Sequence, residues 1–345
     1  MAWVPGDQLQ GGKYIIEKEL RRRRFGITYL VRNKNSDRQI IKTLDVSELT
    51  SMNPLDRDSL ETRFCREAVI LTFCKHQYIV QFTEFFKEAE HWCLVMEYVA
   101  GVILDDLPLP LPEKDALDYI QQIGEALTVV HENNLIHGDV RPENIILRVR
   151  GGRPEAVLVD FDFVHCEFDY NSMTSPPNKK TRGFRSPELY TYNKNRNLTG
   201  TSDIYSLAAT LYMLLTGTKP VDVEERMINK VHLVPPQQIN PKITDHVNKV
   251  ILMGMEIKPE NRPKSVLEWL KQIEKSSKSN FKFFWNWHIW NWDKNLQLWT
   301  LVISAIAAFG TLLSGMAGWI PIFKVQPDNP PVQAPNLTPA KKPYN

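Results

Sequence analysis

Cysteine is scarce in this chain: the four cysteines among 345 residues are Cys65, Cys74, Cys93 and Cys166. No two of them form a Cys-x-x-Cys pair, so the sequence signals neither a zinc site nor a dithiol redox motif. We expect free thiols in a reducing compartment, where isolated cysteines behave as small buried hydrophobic residues.

A strong net charge is also absent. The 42 Lys and Arg residues nearly balance the 40 Asp and Glu residues, which leaves a net charge of +2. This charge balance gives no strong positive electrostatic field that would favour nucleic acid, so we do not expect a nucleic-acid partner. The 43% hydrophobic content is ordinary for a globular protein and excludes wholesale disorder. The first residues lack the basic and apolar regions of a signal peptide, so none is expected.

Long hydrophobic runs are missing from residues 1–275 but not from the remainder. Between Lys294 and Lys324, 29 consecutive residues carry no charge, and Trp299–Phe323 accounts for 25 of them. About 20 apolar residues suffice to cross a bilayer. Tryptophans at both ends of this run and within residues 281–292 resemble an aromatic belt. The pattern predicts a transmembrane helix over residues 299–323; the alternative is a buried core helix with a hydrophobic interaction patch.

The chain is thus expected to contain four segments. Residues 1–275 form a globular domain, 276–298 an aromatic juxtamembrane segment, 299–323 the transmembrane helix and 324–345 a tail with six prolines. Lysines on both sides of the span orient it only weakly. Ser314-x-x-x-Gly318 is a small-xxx-small pair that could support a homodimer in lipid.

Within residues 1–275, strand patterns come first and helix patterns follow. Short β-type runs lie at Tyr14–Ile16, Ile27–Val31, Ile40–Leu44 and Cys93–Val99. Apolar residues spaced three and four apart predict a helix over Ala116–His131. This order predicts an α+β protein with two lobes.

A second helix is predicted at the centre of the core. Ile204–Leu215 is apolar on nearly every side and too short to cross a bilayer. Ser202-Asp203 before it and Gly217 after it are typical cap residues.

Two neighbouring motifs indicate metal-dependent chemistry. His137–Asn144 reads H-G-D-V-R-P-E-N, and V-L-V-D-F-D follows at Val157–Asp162. Mg²⁺ prefers hard oxygen ligands from one or two carboxylates plus substrate phosphates, which Asp160 and Asn144 suit. Asp139 is then left to accept a proton from a hydroxyl nucleophile.

These two motifs, and the further ones described below, follow one another along the chain in the order found in a protein kinase. The chain resembles a eukaryotic-like serine/threonine protein kinase of the bacterial kind that carries a membrane span. The resemblance covers about residues 10–272. It implies a two-lobed protein-kinase-like fold, with a β-rich N-lobe at about 10–99 and a helical C-lobe at about 100–272. It also implies Mg²⁺-dependent transfer of the γ-phosphoryl group of ATP to protein serine or threonine hydroxyls. Because ATP is cytoplasmic, we expect residues 1–275 on the cytoplasmic side of the membrane.

A lysine–glutamate pair is part of the resemblance. Leu60, Phe64, Glu67 and Leu71 are spaced four, three and four apart, which places Glu67 on the apolar face of a helix around residues 59–73. A carboxylate there needs a partner, because an unpaired buried charge is costly. Lys42 is the natural candidate, and the family uses such a pair to position the α- and β-phosphates. The alternative is an exposed Glu67 on a wrongly assigned face.

Other catalytic roles follow from the resemblance alone. Asp139 orients the substrate hydroxyl, Arg141 meets the γ-phosphate, and Asn144 and Asp160 hold Mg²⁺. The residues implied to contact ATP are Leu20, Gly26, Thr28, Ile40, Lys42, Met96, Glu97, Val99 and Ile146, with the Glu97 carbonyl and Val99 amide bonding adenine.

Three further residues are given structural roles. Glu188 in a Pro-Glu motif is expected to pair with Arg262 across the large lobe. Asp203 is expected to brace the backbone of the catalytic loop; a helix N-cap is the simpler interpretation, and the two roles are compatible.

The sequence departs from the family at the glycine-rich loop. The segment reads L-R-R-R-R-F-G, so only Gly26 remains of three glycines, and Arg21 and Arg23 occupy the other two positions. β-Carbons there obstruct close approach of the backbone to phosphates. Residues 21–24 could instead offer guanidinium groups to the phosphates, form a solvated basic turn, or contact an anionic membrane.

Departures also occur beside the catalytic residues. Gly138 replaces the arginine that grips a phosphorylated activation segment, which argues against activation by that route. Asp162 replaces a glycine and could act as an extra metal ligand or restrict movement of the segment. An active kinase is the favoured hypothesis. A pseudokinase signalling scaffold is the alternative, and a small-molecule kinase is a third option.

Overall fold

The computed structural model of the protein describes residues 2–22, 25–161, 182–190 and 198–274. The chain divides into two units, Met1–Lys278 and Ser279–Asn345, and all of the described residues belong to the first. The predicted juxtamembrane segment, transmembrane helix and tail lie outside the described residues. Within the described ranges, no helix combines the length and apolar character needed to cross a bilayer.

The first lobe is built on an antiparallel sheet of six strands in the order β1-β2-β3-β4-β6-β5. Its strands are β1 Gln8–Leu9, β2 Tyr14–Arg22, β3 Gly26–Asn33, β4 Arg38–Leu44, β5 Phe82–Glu88 and β6 His91–Glu97. The four runs predicted as strands lie in β2, β3, β4 and β6, which confirms them. β6 ends at Glu97, so Val99 follows the strand instead of ending it.

Alternation along these strands gives the sheet two different faces. One face packs a small core that includes Ile27, Tyr29 and Ile41, and Trp3 covers it from the N-terminal segment. The opposite face, with Leu44 and Leu94, joins the larger core of the molecule. Thr28 and Lys42 are directly opposite each other on this second face.

Two helices, α1 Val46–Thr50 and α2 Pro54–Leu71, connect β4 to β5. Helix α2 begins earlier than the apolar spacing predicts. The Asn53 side chain accepts a hydrogen bond from the Asp56 N–H, and Pro54 occupies the first turn, where its missing N–H costs nothing. The start is therefore set by cap residues and not by the hydrophobic pattern.

The second lobe begins with β7 Val102–Ile103, which joins β8 Ile145–Arg150 and β9 Arg153–Leu158 in a three-stranded sheet. Among the described residues of this lobe, the helices are α3 Glu113–Glu132, α4 Gly200–Thr216, α5 Val223–Ile228, α6 Pro236–Ile239, α7 Asp245–Gly254 and α8 Val266–Glu274. The predicted helix over residues 116–131 is confirmed as part of α3.

Helix α4 is the centre of this lobe, as predicted. Every residue from Ser202 to Thr216 is buried. Gly217 ends the helix with φ +72°, a left-handed conformation that glycine adopts without a side-chain clash. The N-terminal cap was predicted wrongly: Thr199 occupies the cap position, and Asp203 lies inside the first turn. Asp203 is instead used by the catalytic loop.

Candidate active site

The loop between α3 and β8 is held in place by the buried carboxylate of Asp203. Its Oδ2 accepts a hydrogen bond from the His137 N–H at 2.9 Å, and its Oδ1 accepts one from the Gly138 N–H at 2.8 Å. His131 Nε2 lies 2.8 Å from Oδ2. Burial alone would raise the pKa of Asp203, but these hydrogen bonds and the neighbouring histidines outweigh it and hold the pKa below its ordinary value.

Glycine suits position 138 because of this bracing. Its φ is +75°, in the region where a β-carbon is unfavourable. Gly138 adopts this conformation without the strain that a side chain would add.

His137 links the catalytic loop to the segment after β9. Its Nδ1 accepts from the Asp139 N–H at 3.3 Å, so Nε2 carries the proton and donates to the Val159 carbonyl at 3.3 Å. Burial lowers the pKa of His137, which favours this neutral ring. The ring of Phe161 packs on it, with centroids 4.6 Å apart. These contacts fix the position of the intervening Asp160.

Asp139 is oriented by two side chains. Asn144 Nδ2 donates to Asp139 Oδ2 and to the Asp139 carbonyl, both at 2.8 Å. Arg141 Nε lies 3.1 Å from Asp139 Oδ1, and Arg141 Nη1 lies 2.6 Å from Glu143 Oε2. Both arginine contacts are ion pairs without aligned hydrogen-bond geometry. Arg141 is almost completely buried, so its charge acts in a medium with little solvent screening.

Asn144 has one oxygen suited to a metal. Its side chain is completely buried, and its Oδ1 has no hydrogen-bond partner among the described residues. A buried amide oxygen without a partner is costly. A hard cation such as Mg²⁺ would satisfy it.

Asp160 faces two cations across the cleft. Lys42 Nζ lies 3.1 Å from Oδ1 and donates to the Phe161 carbonyl at 2.5 Å. Arg21 Nη1 lies 2.7 Å from Oδ2. Asp160 itself has φ +57°, a left-handed conformation that Asp tolerates better than most residues. The structure thus brings Lys42, Asp139, Asn144 and Asp160 into one site.

The predicted partner of Lys42 cannot be compared in the same way. Helix α2 includes Glu67, but its side chain lies outside the described part of the chain. The Lys42–Glu67 pair therefore stays a prediction. Asp162 and residues 23–24 also lie outside it.

The residues predicted to line the nucleotide lie on the sheet of the first lobe, just after β6, and on β8. Ile40 and Lys42 are two apart on β4 and share a face, and Met96 is directly opposite Ile40. Val99 and Met96 are buried, whereas Leu20 is 43% exposed. The remaining predicted residues occupy these elements: Gly26 and Thr28 on β3, Glu97 on β6 and Ile146 on β8.

The two residues predicted to pair across the large lobe are in contact. Arg262 donates from Nη1 and Nη2 to the two Glu188 carboxylate oxygens at 2.8 and 2.9 Å. Ser202 also donates to Glu188 Oε1 at 2.9 Å. This pair attaches residues 182–190 to the start of α4 and the loop before α8.

Sequence reasoning missed some partners. His131 is the last-turn histidine of α3, and nothing in its spacing indicates contact with Asp203. Glu143 pairs with Arg141, although the motif gives it no role. Arg21 was expected to face phosphates, solvent or lipid, and its contact with Asp160 had no local signal.

The comparisons with known proteins agree with this geometry. Residues 14–280 match the family described as "Protein kinase domain". Serine/threonine-protein kinase pkn2 of Myxococcus xanthus is 34% identical over 165 residues, which cover 46% of this chain and 20% of that protein. Serine/threonine-protein kinase PknB of Mycobacterium leprae is 30% identical over 240 residues, which cover 65% of this chain and 37% of that protein. The chain thus matches less than two thirds of the length of either relative.

Solved structures share the fold. The Mycobacterium tuberculosis PknI kinase domain superposes with a TM-score of 0.62 at 21% identity, covering 81% of this chain and 100% of that one. Rad53 1–466 in complex with AMP-PNP gives 0.60 at 18% identity, covering 76% and 65%. At these identities the likeness establishes the two-lobed fold alone.

Proposed function

Because the chain belongs to the protein kinase family, we propose that it transfers the γ-phosphoryl group of ATP to serine or threonine hydroxyls of protein substrates. One observation carries the proposal. Asn144 donates to the Asp139 carboxylate through Nδ2 while its Oδ1 stays buried without a partner among the described residues. A single side chain is therefore placed to orient the proton acceptor and to bind the metal.

Asp139 would orient the substrate hydroxyl and accept its proton. One carboxylate oxygen is occupied by the Asn144 amide and the other faces Arg141. The carboxylate is thus fixed in direction before substrate arrives, which lowers the cost of positioning. Arg141 places positive charge next to the reacting groups, where the transferred phosphoryl oxygens need it.

Asn144 and Asp160 would hold Mg²⁺, and their oxygen atoms fit its preference for hard ligands. When bound, the metal supplies positive charge that stabilises the charge developing on the phosphoryl oxygens. Lys42 reaches the same carboxylate and would contact the α- and β-phosphates. ATP itself is supported by the family and by the nucleotide analogue bound to Rad53.

Protein substrates, as opposed to small molecules, are supported by the Glu188–Arg262 pair. It anchors residues 182–190 to the large lobe, and Ser202, which also donates to Glu188, precedes the Asp203 that braces the catalytic loop. The curated serine/threonine kinases among the relatives also favour hydroxyl acceptors on proteins.

A pseudokinase scaffold is the second candidate function, and the Arg21–Asp160 ion pair favours it. An arginine at this position opposes metal binding, and the glycine loop lacks two glycines. The unfolding temperature with and without millimolar Mg-ATP separates the two functions, because a ligand that binds the folded state stabilises it. No shift would favour the scaffold.

We propose further that the kinase is anchored by residues 299–323, with residues 1–275 in the cytoplasm. The support is the 29-residue run without charge and the tryptophans around it. In sealed vesicles whose interior corresponds to the cytoplasm, protease added outside should leave the large domain intact. Digestion of that domain from outside would contradict the topology. Ser314 and Gly318 would support homodimers, and Gly318→Leu should reduce chemical cross-linking in membranes if they do.

Labelled phosphate tests the activity. The full chain is incubated with ATP labelled on the γ-phosphate, Mg²⁺ and a general protein acceptor, and the phosphorylated amino acids are identified. We expect phosphoserine or phosphothreonine, and loss of label in Asp160→Asn. Asp115→Asn, which removes an exposed carboxylate at the start of α3, is the matched control and should retain the label. Equal labelling by wild type and Asp160→Asn would refute the assignment.

A further inference from the structure

The Arg21 side chain extends from the first lobe to Asp160, the residue expected to bind the metal. It stands on β2, where the family has the first glycine of its phosphate loop, and its Nη1 lies 2.7 Å from Asp160 Oδ2. The two residues are 139 positions apart in the sequence. The contact therefore bridges the cleft.

The strand register explains how Arg21 reaches Asp160. Arg21 is directly opposite Thr28 on β3, and Thr28 is directly opposite Lys42 on β4. Directly opposite residues in an antiparallel sheet project from the same face. Arg21 and Lys42 therefore lie in one row on the cleft side. An irregularity of the β2–β3 pairing between Glu19 and Arg21 sets this register.

Both oxygens of the Asp160 carboxylate consequently face a protein cation. Lys42 Nζ lies 3.1 Å from Oδ1, and Arg21 occupies the Oδ2 side. The carboxylate is mostly buried, with 17% of the side chain exposed, so solvent screens these contacts only in part. Metal coordination through Oδ2 requires that the guanidinium move away.

We propose that Arg21 competes with Mg²⁺ for Asp160 and raises the Mg²⁺ concentration at which the kinase binds nucleotide. The inference rests on the proposed function, because it concerns the metal of that same site. Arg21 sets the Mg²⁺ concentration that the site requires and does not take part in the chemical step. Where the family has a flexible glycine, this chain has an arginine whose guanidinium pairs with Asp160 and would move away when the metal binds.

The size of the effect follows from the exposure of the pair. The Arg21 side chain is 38% exposed, so its attraction to Asp160 is that of a partly screened ion pair. Removing such a competitor should lower the Mg²⁺ concentration for half-maximal nucleotide binding about two- to fivefold.

The experiment measures binding without catalysis. The full chain is titrated with AMP-PNP by calorimetry at a series of Mg²⁺ concentrations and in EDTA. Arg21→Gly and Arg21→Ala are compared with wild type, so that one variant restores the family residue and the other keeps better strand propensity. Arg32→Ala is the matched control. Arg32 lies on β3 and pairs with Glu17, so this substitution also removes one arginine charge, but outside the cleft.

Both Arg21 variants should reach half-maximal binding at about two- to fivefold less Mg²⁺ than wild type. Their affinity in EDTA should be unchanged, and Arg32→Ala should behave like wild type. Normal binding with the same Mg²⁺ dependence in every variant would overturn the inference and leave the proposed function standing. Weaker binding by the Arg21 variants, in EDTA as well, would overturn it by making Arg21 a phosphate ligand. No binding by any variant would overturn both.

Discussion

Arg262 offers a sharp test of how the large lobe is held together. Its side chain is completely buried and donates five hydrogen bonds, two to Glu188 and three to the backbone carbonyls of Thr201, Glu256 and Ile257. Arg262→Met fills a similar volume but removes the cation that pairs with the Glu188 carboxylate, which is 12% exposed. Ser202 would still donate to it.

The expected cost is large because a buried charge loses its partner. Breaking a buried pair from one side costs about 3–5 kcal/mol. Domains have a free energy of unfolding of about 5–15 kcal/mol, so the variant should lose at least about a fifth of it. The double variant Glu188→Gln/Arg262→Met removes both charges and should cost less than the sum of the single variants, by about 1–3 kcal/mol.

Urea unfolding followed by circular dichroism measures these differences. Arg57→Met is the control, since the Arg57–Glu61 pair joins residues four apart on α2, and such helix pairs contribute only about 0.3–0.5 kcal/mol. A cost below about 1 kcal/mol for Arg262→Met, or single costs that add within about 0.5 kcal/mol, would refute the account of a buried ion pair.

Three other variants test the catalytic loop. Asn144→Ala should reduce phosphoryl transfer by about 100-fold or more, because Asp139 loses its orienting hydrogen bonds. Asp203→Asn should destabilise the fold by about 1.5–3 kcal/mol in urea unfolding, because two backbone N–H groups lose an ionised acceptor. Burial lowers the pKa of His137, so the unfolded chain binds its proton more readily. Stability from this source is fully present above about pH 6.5 and falls as the pH drops below that value, and His137→Asn should flatten the fall in melting temperature between about pH 7.5 and 5.5.

Each of these three predictions has an outcome that would contradict it. Unchanged transfer by Asn144→Ala would remove the residue from the site. An Asp203→Asn protein as stable as wild type would mean that the loop does not depend on the carboxylate. A pH profile that His137→Asn leaves unaltered would show that another group titrates.

Local patterns predicted much of the fold, because periodicity reports which side of an element is buried. The spacing within Ala116–His131 identified α3, and the apolar run from Ile204 identified the buried α4. The ends were less predictable. Asp203 has the chemistry of a cap residue, yet tertiary contacts use its carboxylate for the catalytic loop and Thr199 occupies the cap position.

The candidate site was predictable where residues lie close together in one motif. Asp139 and Asn144 are five positions apart, and the loop between them brings their side chains into contact. The Arg21–Asp160 contact depends on strand register and on the approach of two lobes. No local pattern encodes either of these, so the sequence predicted a basic loop but not its contact with Asp160.

The rate of phosphoryl transfer by Asp139→Asn tests the central claim most directly. Wild type and variant are compared in a single turnover of labelled Mg-ATP with protein acceptor, and nucleotide affinity is measured alongside. Asp139 is expected to act on the substrate hydroxyl and not on nucleotide binding, so the rate should fall about 10²- to 10⁴-fold while the nucleotide dissociation constant stays the same. An undiminished rate at equal nucleotide occupancy would contradict a phosphoryl-transfer site built around Asp139.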